Sequence, residues 1–296
     1  MITLFHNIED LRKVVKVGAS MPWSSIEPYI NDAVDIYLPR HLGREVVDNI
    51  TADDAELVRL LRRAVGPLAF YLGADEMGIN IGDSGITVQN DLGHRSPASD
   101  AKIAAAKRSM LGRGYAALSE VIGHLIAKGQ VPEDSPLQRR KLCLVDSLAT
   151  FEQVVSLNGC YVSYFELLPL ILHVQDKLCI RFAPITSLLG KADLTPEERD
   201  LRRMAVCHIV FKVAYLHTSN TTRQQRASAG AVEWAPILRP LFVDTTDHGN
   251  YYHQEAEDYL TSIESYIDSH AEAFGIERAA PMNFNSQKRK IFYSEG

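Results

Sequence analysis

The chain has 296 residues, 46% of them hydrophobic, and 31 Lys and Arg against 37 Asp and Glu give a formal net charge of −6. At roughly 150 residues per domain this length predicts about two globular domains. The charge divides evenly, with 16 basic and 18 acidic residues up to Arg140 and 15 and 19 after it, so neither half reads as a nucleic-acid binder.

The opening Met1-Ile2-Thr3-Leu4-Phe5-His6 lacks the basic and apolar regions of a secretory signal, which predicts cytoplasmic synthesis. Asn7 is an N-cap type before a short helix through Leu11. Pro28 predicts the first turn of a second helix, where its missing N–H had no partner. Thr51 with Asp54 reads as a capping box, followed by a long helix with Leu57, Leu60, Leu61, Val65, Leu68 and Leu72 on one stripe. Ile79-Asn80-Ile81 and Ile86-Thr87-Val88 flank Gly82-Asp83-Ser84-Gly85, which predicts a β-hairpin with a four-residue turn. A helix over roughly 101–127 follows, and 129–141, with Pro132 and Pro136, reads as a linker.

The second half echoes this order. Ile2 to Val15 lies over Leu142 to Val155 without a gap, and Asn7 falls on Ser147. Pro28 falls on Pro169 one residue later in shift, so Pro169 is also expected just inside a helix start. At a shift of 144, Thr51 to Leu72 lies over Thr195 to Leu216, where Thr195 and Glu198 form a second capping box with Pro196 behind the cap. Only five of those 22 positions are identical, which two amphipathic helices could share by chance, so the repeated order of elements carries the inference. The expected fold is therefore all-α, two tandem duplicated helical domains each with a small β-hairpin. Its parts are 1–128, a linker over 129–141, 142–275 with a last helix over roughly 252–272, and an extended tail over 276–296.

Candidate chemistry is sparse. Gly82-Asp83-Ser84-Gly85 matches the tetrad around the nucleophile of chymotrypsin-like proteases, but such enzymes are β-barrels with an upstream His and Asp, and a tight turn explains these residues. His248 and His253 lie near Asp244, Asp247, Glu255 and Asp258 without the i, i+4 spacing of two ligands on one helical face. Asp247-His248-Gly249-Asn250 reads instead as a polar turn. His173 and His208 are expected to be core histidines, each satisfied by one hydrogen bond. The four cysteines, Cys143, Cys160, Cys179 and Cys207, fit no disulfide or zinc framework and read as reduced, buried small hydrophobes. The most apolar run, Leu167 to Leu172, is far short of the ~18–20 residues of a bilayer span. No catalytic residue, metal or cofactor is expected.

Arg139-Arg140-Lys141 and Lys288-Arg289-Lys290 read as solvated basic clusters. Phe284, Phe292 and Tyr293 are unusual in a free tail, which predicts an arm that docks on a neighbouring subunit or partner. With Asp83, Ser84 and Gly85 of the hairpin, these residues form the expected protein-contact set.

The run Thr3-Leu4-Phe5, Ile8 to Leu11, Ile26, Pro28-Tyr29-Ile30, Tyr37-Leu38 and Leu42-Gly43, with the later Ala69-Phe70-Tyr71-Leu72 and Ile81 to Ile86, resembles a family of uncharacterised proteins of Bacteroidetes phages and prophages. More distantly, a short helix, a loop and a helix ending in a Leu-Gly turn is similar to the small helical head–tail connectors of tailed phages. That resemblance implies a non-enzymatic structural protein, a connector or neck component that contacts portal, capsid or tail proteins, self-associates, and ends in the virion. The rival expectation is a bacterial enzyme or small-ligand-binding protein that uses the cleft between the two halves.

Overall fold

A computed structural model describes residues 3–18, 21–76, 79–82, 85–88, 100–131, 143–220 and 247–276. It is mainly helical. The first half contains α1 (Ile8–Arg12), a 3-10 turn (Trp23–Ser25), α2 (Glu27–Leu42), α3 (Arg44–Asp48), α4 (Ala55–Gly73) and α5 (Asp100–Ala127). The second contains α6 (Leu148–Glu152), α7 (Tyr161–Arg181), α8 (Ala183–Thr186), α9 (Pro196–Asn220) and α10 (Asp247–Ser269). Among the described residues, strands are confined to one antiparallel pair, β1 (Ile79–Gly82) and β2 (Gly85–Val88), in register Ile79 with Val88 and Gly82 with Gly85. A hairpin expected near 227–232 lies outside the described residues.

Each half has its own apolar core. In the first, Leu11, Tyr37, Leu61, Leu68, Leu118 and Ile122 pack where α2, α4 and α5 meet. In the second, Phe151, Tyr164, Ile171, Leu201, Ile209 and Ile263 do the same among α6, α7, α9 and α10. Fully burying one such side chain contributes about 1.5–3 kcal/mol. The start of α7 joins the two cores, since Tyr161 and Phe165 pack against both and Val162 belongs to the first. Arg40 on α2 and Glu166 on α7 add an ion pair of 3.6 Å across the same boundary.

Helix starts follow local chemistry. Asn7 accepts from the Asp10 N–H and Ser147 from the Thr150 N–H, 140 positions apart. The Thr195 hydroxyl accepts from the Glu198 N–H at 3.2 Å, and Glu198 accepts from the Thr195 N–H at 3.1 Å. Thr51 does not cap α4. Asp54 does, accepting from the Leu57 N–H at 3.0 Å, because a second acidic cap type stands three residues nearer the buried stripe.

The halves differ where packing overrides local signals. Pro28 lies in the first turn of α2, but Pro169 sits well inside α7. Burial of Val162, Tyr164 and Leu167 extends that helix back to Tyr161, outweighing the one backbone hydrogen bond that proline removes. Asp247-His248-Gly249-Asn250 is no turn: it is the first turn of α10. Gly129 to Val131 do not start a linker, because Val131 is buried in the first core; residues 132–142 lie outside the described ones.

The long helices α4 and α9 sit one helical turn away from the 144-residue alignment. The Arg62 guanidinium donates to the Leu4 carbonyl at 2.6 Å, and the Arg202 guanidinium to the Leu144 carbonyl at 3.4 Å. Both pairs are offset by 140, as are Asn7 and Ser147. The last helices close alike: Gln130 N–H donates to Leu125 C=O and Gly129 N–H to Ile126 C=O, while Ile276 N–H donates to Ala271 C=O and Gly275 N–H to Glu272 C=O. Gly129 and Gly275 stand at φ +66° and +68°, the left-handed conformation this closure needs and glycine adopts without steric cost.

Candidate functional site

An open cleft of about 390 Å³ lies at the corner where the α3–α4 connection meets the end of α5. Its apolar lining is Val46, Ile50, Leu57, Leu125 and Val131, and its polar lining includes Thr51, Asp54 and Gln130. Tertiary packing assembles it: α3 and α4 supply one wall, and the left-handed turn at Gly129 folds Val131 back to form the other.

Asp54 is the hub of this corner. One carboxylate oxygen caps α4, and the other accepts from His124 Nε2 at 2.9 Å and Lys128 Nζ at 2.7 Å. His124 and Lys128 are four residues apart and so share one face of α5. The hydrogen bond from His124, then those from Lys128 and the Leu57 amide, hold the Asp54 carboxyl far below the usual carboxylate range. A carboxylate stabilised this strongly in its charged form, with three donors on it, is an anchor and a poor general base. The half-exposed Lys128 stem and the exposed Thr51 stand at the mouth.

In the second half, His270 stands six positions before Ile276, as His124 stands six before Gln130. Counted back from the closing glycines Phe274 stands where Lys128 does, counted along the 140-residue offset Leu194 stands where Asp54 does, and both Phe274 and Leu194 pack against the second core. Phe274 also lies 6.3 Å from the Tyr266 ring.

A second cleft, of about 480 Å³, lies at the junction of the halves and is lined by Tyr115, Ser119, Glu120, Asn158, Cys160 and Tyr161 among others. Its polar groups are already engaged. Ser119 Oγ donates to the Gly159 carbonyl at 3.1 Å and accepts from the Tyr161 amide at 2.7 Å. Glu120 pairs with Arg63, and Glu152 accepts from the Leu157 and Gly159 amides of the connecting turn.

Of the residues expected to make contacts, Gly85 pairs with Gly82 at the end of the β ladder. Asp83, Ser84, Phe284, Phe292 and Tyr293 lie outside the described residues, as do both basic clusters. His208 is a core histidine, with Nδ1 2.7 Å from the Ala256 carbonyl. His173 is not: it is exposed on the outer face of α7. All four cysteines are free; Cys143 is buried, which pushes its thiol up to about 11, and the other three are partly exposed. Among the described residues no group of three or more His, Cys, Asp or Glu could hold a metal, and no helix is long and apolar enough to cross a membrane.

The Asp54 corner has one sequence signal, His124 and Lys128 on one helical face together with a pair of acids ahead of a helix. Their meeting across 70 residues has none.

Residues 26–133 match a family described as "Family of unknown function (DUF6712)". The match covers 108 residues, just over a third of the chain, runs from the start of α2 to just past Val131, and includes every residue that lines the Asp54 cleft. Searches against curated proteins and against solved structures return no match.

Proposed function

We propose that this protein is a non-enzymatic structural component of a phage or prophage particle, a head–tail connector or neck protein that works through protein–protein contacts. The observation that carries the reading is the turn at Leu42-Gly43. Leu42 is fully buried, Gly43 stands at φ +90°, and α2 passes there directly into α3. This helix ending in a Leu-Gly turn is the feature on which the resemblance to small helical connectors rests. An open cleft with an apolar floor and an anchored carboxylate suits the docking of a protein segment better than chemistry.

The reading includes a tandem duplication, with a hairpin in each copy. The constant offset of 140 for Asn7 and Ser147, Leu4 and Leu144, and Arg62 and Arg202 supports it, as do the two matching helix closures at Gly129 and Gly275. Two linked copies of one contact module give each molecule two related faces, and heterologous contacts that close generate a ring. Partners would be portal, capsid or tail proteins, with the virion as the final location.

The test is sedimentation of particles from an induced lysogen. Co-purification with portal or tail proteins, and rings in electron micrographs, are expected; a chain that stays in the soluble fraction overturns the reading. The 480 Å³ junction cleft favours a second reading, a small-ligand-binding protein, which saturable binding abolished by Tyr161→Ala would support.

A further inference from the structure

We infer that the cleft beside Asp54 receives an aromatic side chain from the 279–296 segment of a second copy of this chain. The inference rests on the self-association in the reading above and names the surface that serves it.

The second unit is the precedent. At the equivalent positions it has Phe274 and Leu194, both packed on the second core. The first unit has Lys128 and Asp54 at those places, and its cleft of about 390 Å³ stays open over Val46, Ile50, Leu57, Leu125 and Val131. The opening therefore sits where the fold elsewhere places a phenylalanine.

The chain carries a suitable occupant. Twenty residues follow Ile276 at the end of the second unit, and fully extended they reach about 66 Å, enough to arrive at a neighbouring molecule. They hold Phe284, Phe292 and Tyr293, with Lys288-Arg289-Lys290 separated from the last two aromatics by Ile291 alone. Glu45, Asp48 and Asp53, next in the chain to the lining residues Val46, Asn49 and Asp54, carry the opposite charge; they are exposed and form no ion pair among the described residues, and Lys128 is already taken by Asp54. An aromatic anchor in an apolar pocket with a charged rim is the usual anatomy of a tight contact, the anchor giving affinity and the rim giving orientation. Because the segment leaves the second unit and the cleft belongs to the first, each molecule offers a donor and an acceptor, and such contacts propagate head to tail.

A photo-crosslinking amino acid at position 292 of the full-length chain, in a mixture of light and heavy isotope-labelled protein, tests this. Cross-links from 292 to residues 46–57 or 125–131 that join a light to a heavy chain are expected. Thr51→Trp plugs the mouth from an exposed position; it should cut the yield about tenfold while leaving the unfolding midpoint unchanged. Replacing Lys288, Arg289 and Lys290 with Glu should cut the yield without touching the folded units. Cross-links elsewhere, within one chain only, or not at all overturn the inference, as does a yield insensitive to both variants. Cleft cross-links without co-sedimentation with particles would retain this inference and overturn the phage reading; co-sedimentation without cleft cross-links would do the reverse.

Discussion

Asp54 and His124 stand 70 residues apart in the chain and meet at 2.9 Å, tying the first turn of α4 to the last turn of α5. Lys128 joins them at 2.7 Å, so a helix cap, an imidazole and an ammonium share one carboxylate. The folded state holds this carboxyl well below its ordinary value of 3.8, chiefly through His124, so its stabilisation is present above that value and is lost as pH falls below it. Asp54→Asn keeps the cap acceptor and removes the charge. The variant should have a lower urea midpoint at pH 7 and a flatter pH profile below about pH 4 than the parent. Parallel profiles would show that the charge contributes nothing.

His41 predicts a second pH dependence, in a different window. It is 8% exposed in the first core, its ring lies edge-on to Tyr115 at 5.5 Å, and its Nε2 has no hydrogen-bond partner. Burial first, then Arg40, lowers its pKa from 6.5 to about 4. Unfolding therefore takes up a proton between those values, and stability is lost as pH falls through the window, by about 3 kcal/mol in all. His41→Phe keeps the ring contact and removes both the titration and the unpaired nitrogen. Chemical denaturation at pH 7 and pH 4.5 should show a larger pH difference in the parent than in the variant, whose remaining dependence comes from His208 and His217, also lowered by burial.

These two groups mark the limit of what the chain discloses on its face. Caps that depend on neighbours three residues away, Asn7, Ser147 and Thr195, are legible because the competing groups are all local. Thr51 misleads because Asp54 offers a stronger acceptor nearer the buried stripe. Pro169 misleads because Val162, Tyr164 and Leu167 bury enough apolar surface to hold a helix around it. The slip from 140 to 144 is one turn of helix, which leaves leucines at helical spacing over one another; only the Arg62 and Arg202 contacts with distant carbonyls fix the register. The Asp54 cleft is a tertiary product of segments 70 residues apart, and no local pattern encodes its volume.

The crossing of α4 and α5 supplies a prediction with an internal control. A Cβ at Gly114 would lie 2.6 Å from Leu68 Cγ and 3.2 Å from the Ala64 carbonyl, inside a packed core. A Cβ at Gly112, one half-turn away on the same helix, meets nothing within 4 Å. Gly112→Ala should stabilise by about 0.5–1 kcal/mol through helix propensity. Gly114→Ala gains the same propensity but should be destabilising by about 1–2 kcal/mol net, because overpacking costs more. Thermal unfolding of the two variants should move in opposite directions, and equal shifts would mean that the helices part without cost.

Ser119 is a buried polar tie between the halves. It is 5% exposed, and its one hydroxyl both donates to the Gly159 carbonyl and accepts from the Tyr161 amide at the start of α7. The turn it holds has Asn158 and Gly159 in succession at φ +55° and +70°, a left-handed pair that Glu152 fixes from the other side. Ser119→Ala leaves both backbone groups without that partner at the edge of the junction cleft, which should cost about 1–3 kcal/mol. The loss should be local to the boundary. Hydrogen exchange at Tyr161 is expected to accelerate, while amides of the first core around Leu61 and Leu118 keep their protection. Uniform acceleration across both cores would instead mean that the two units unfold as one, with the Ser119 contact serving global stability and not the junction alone.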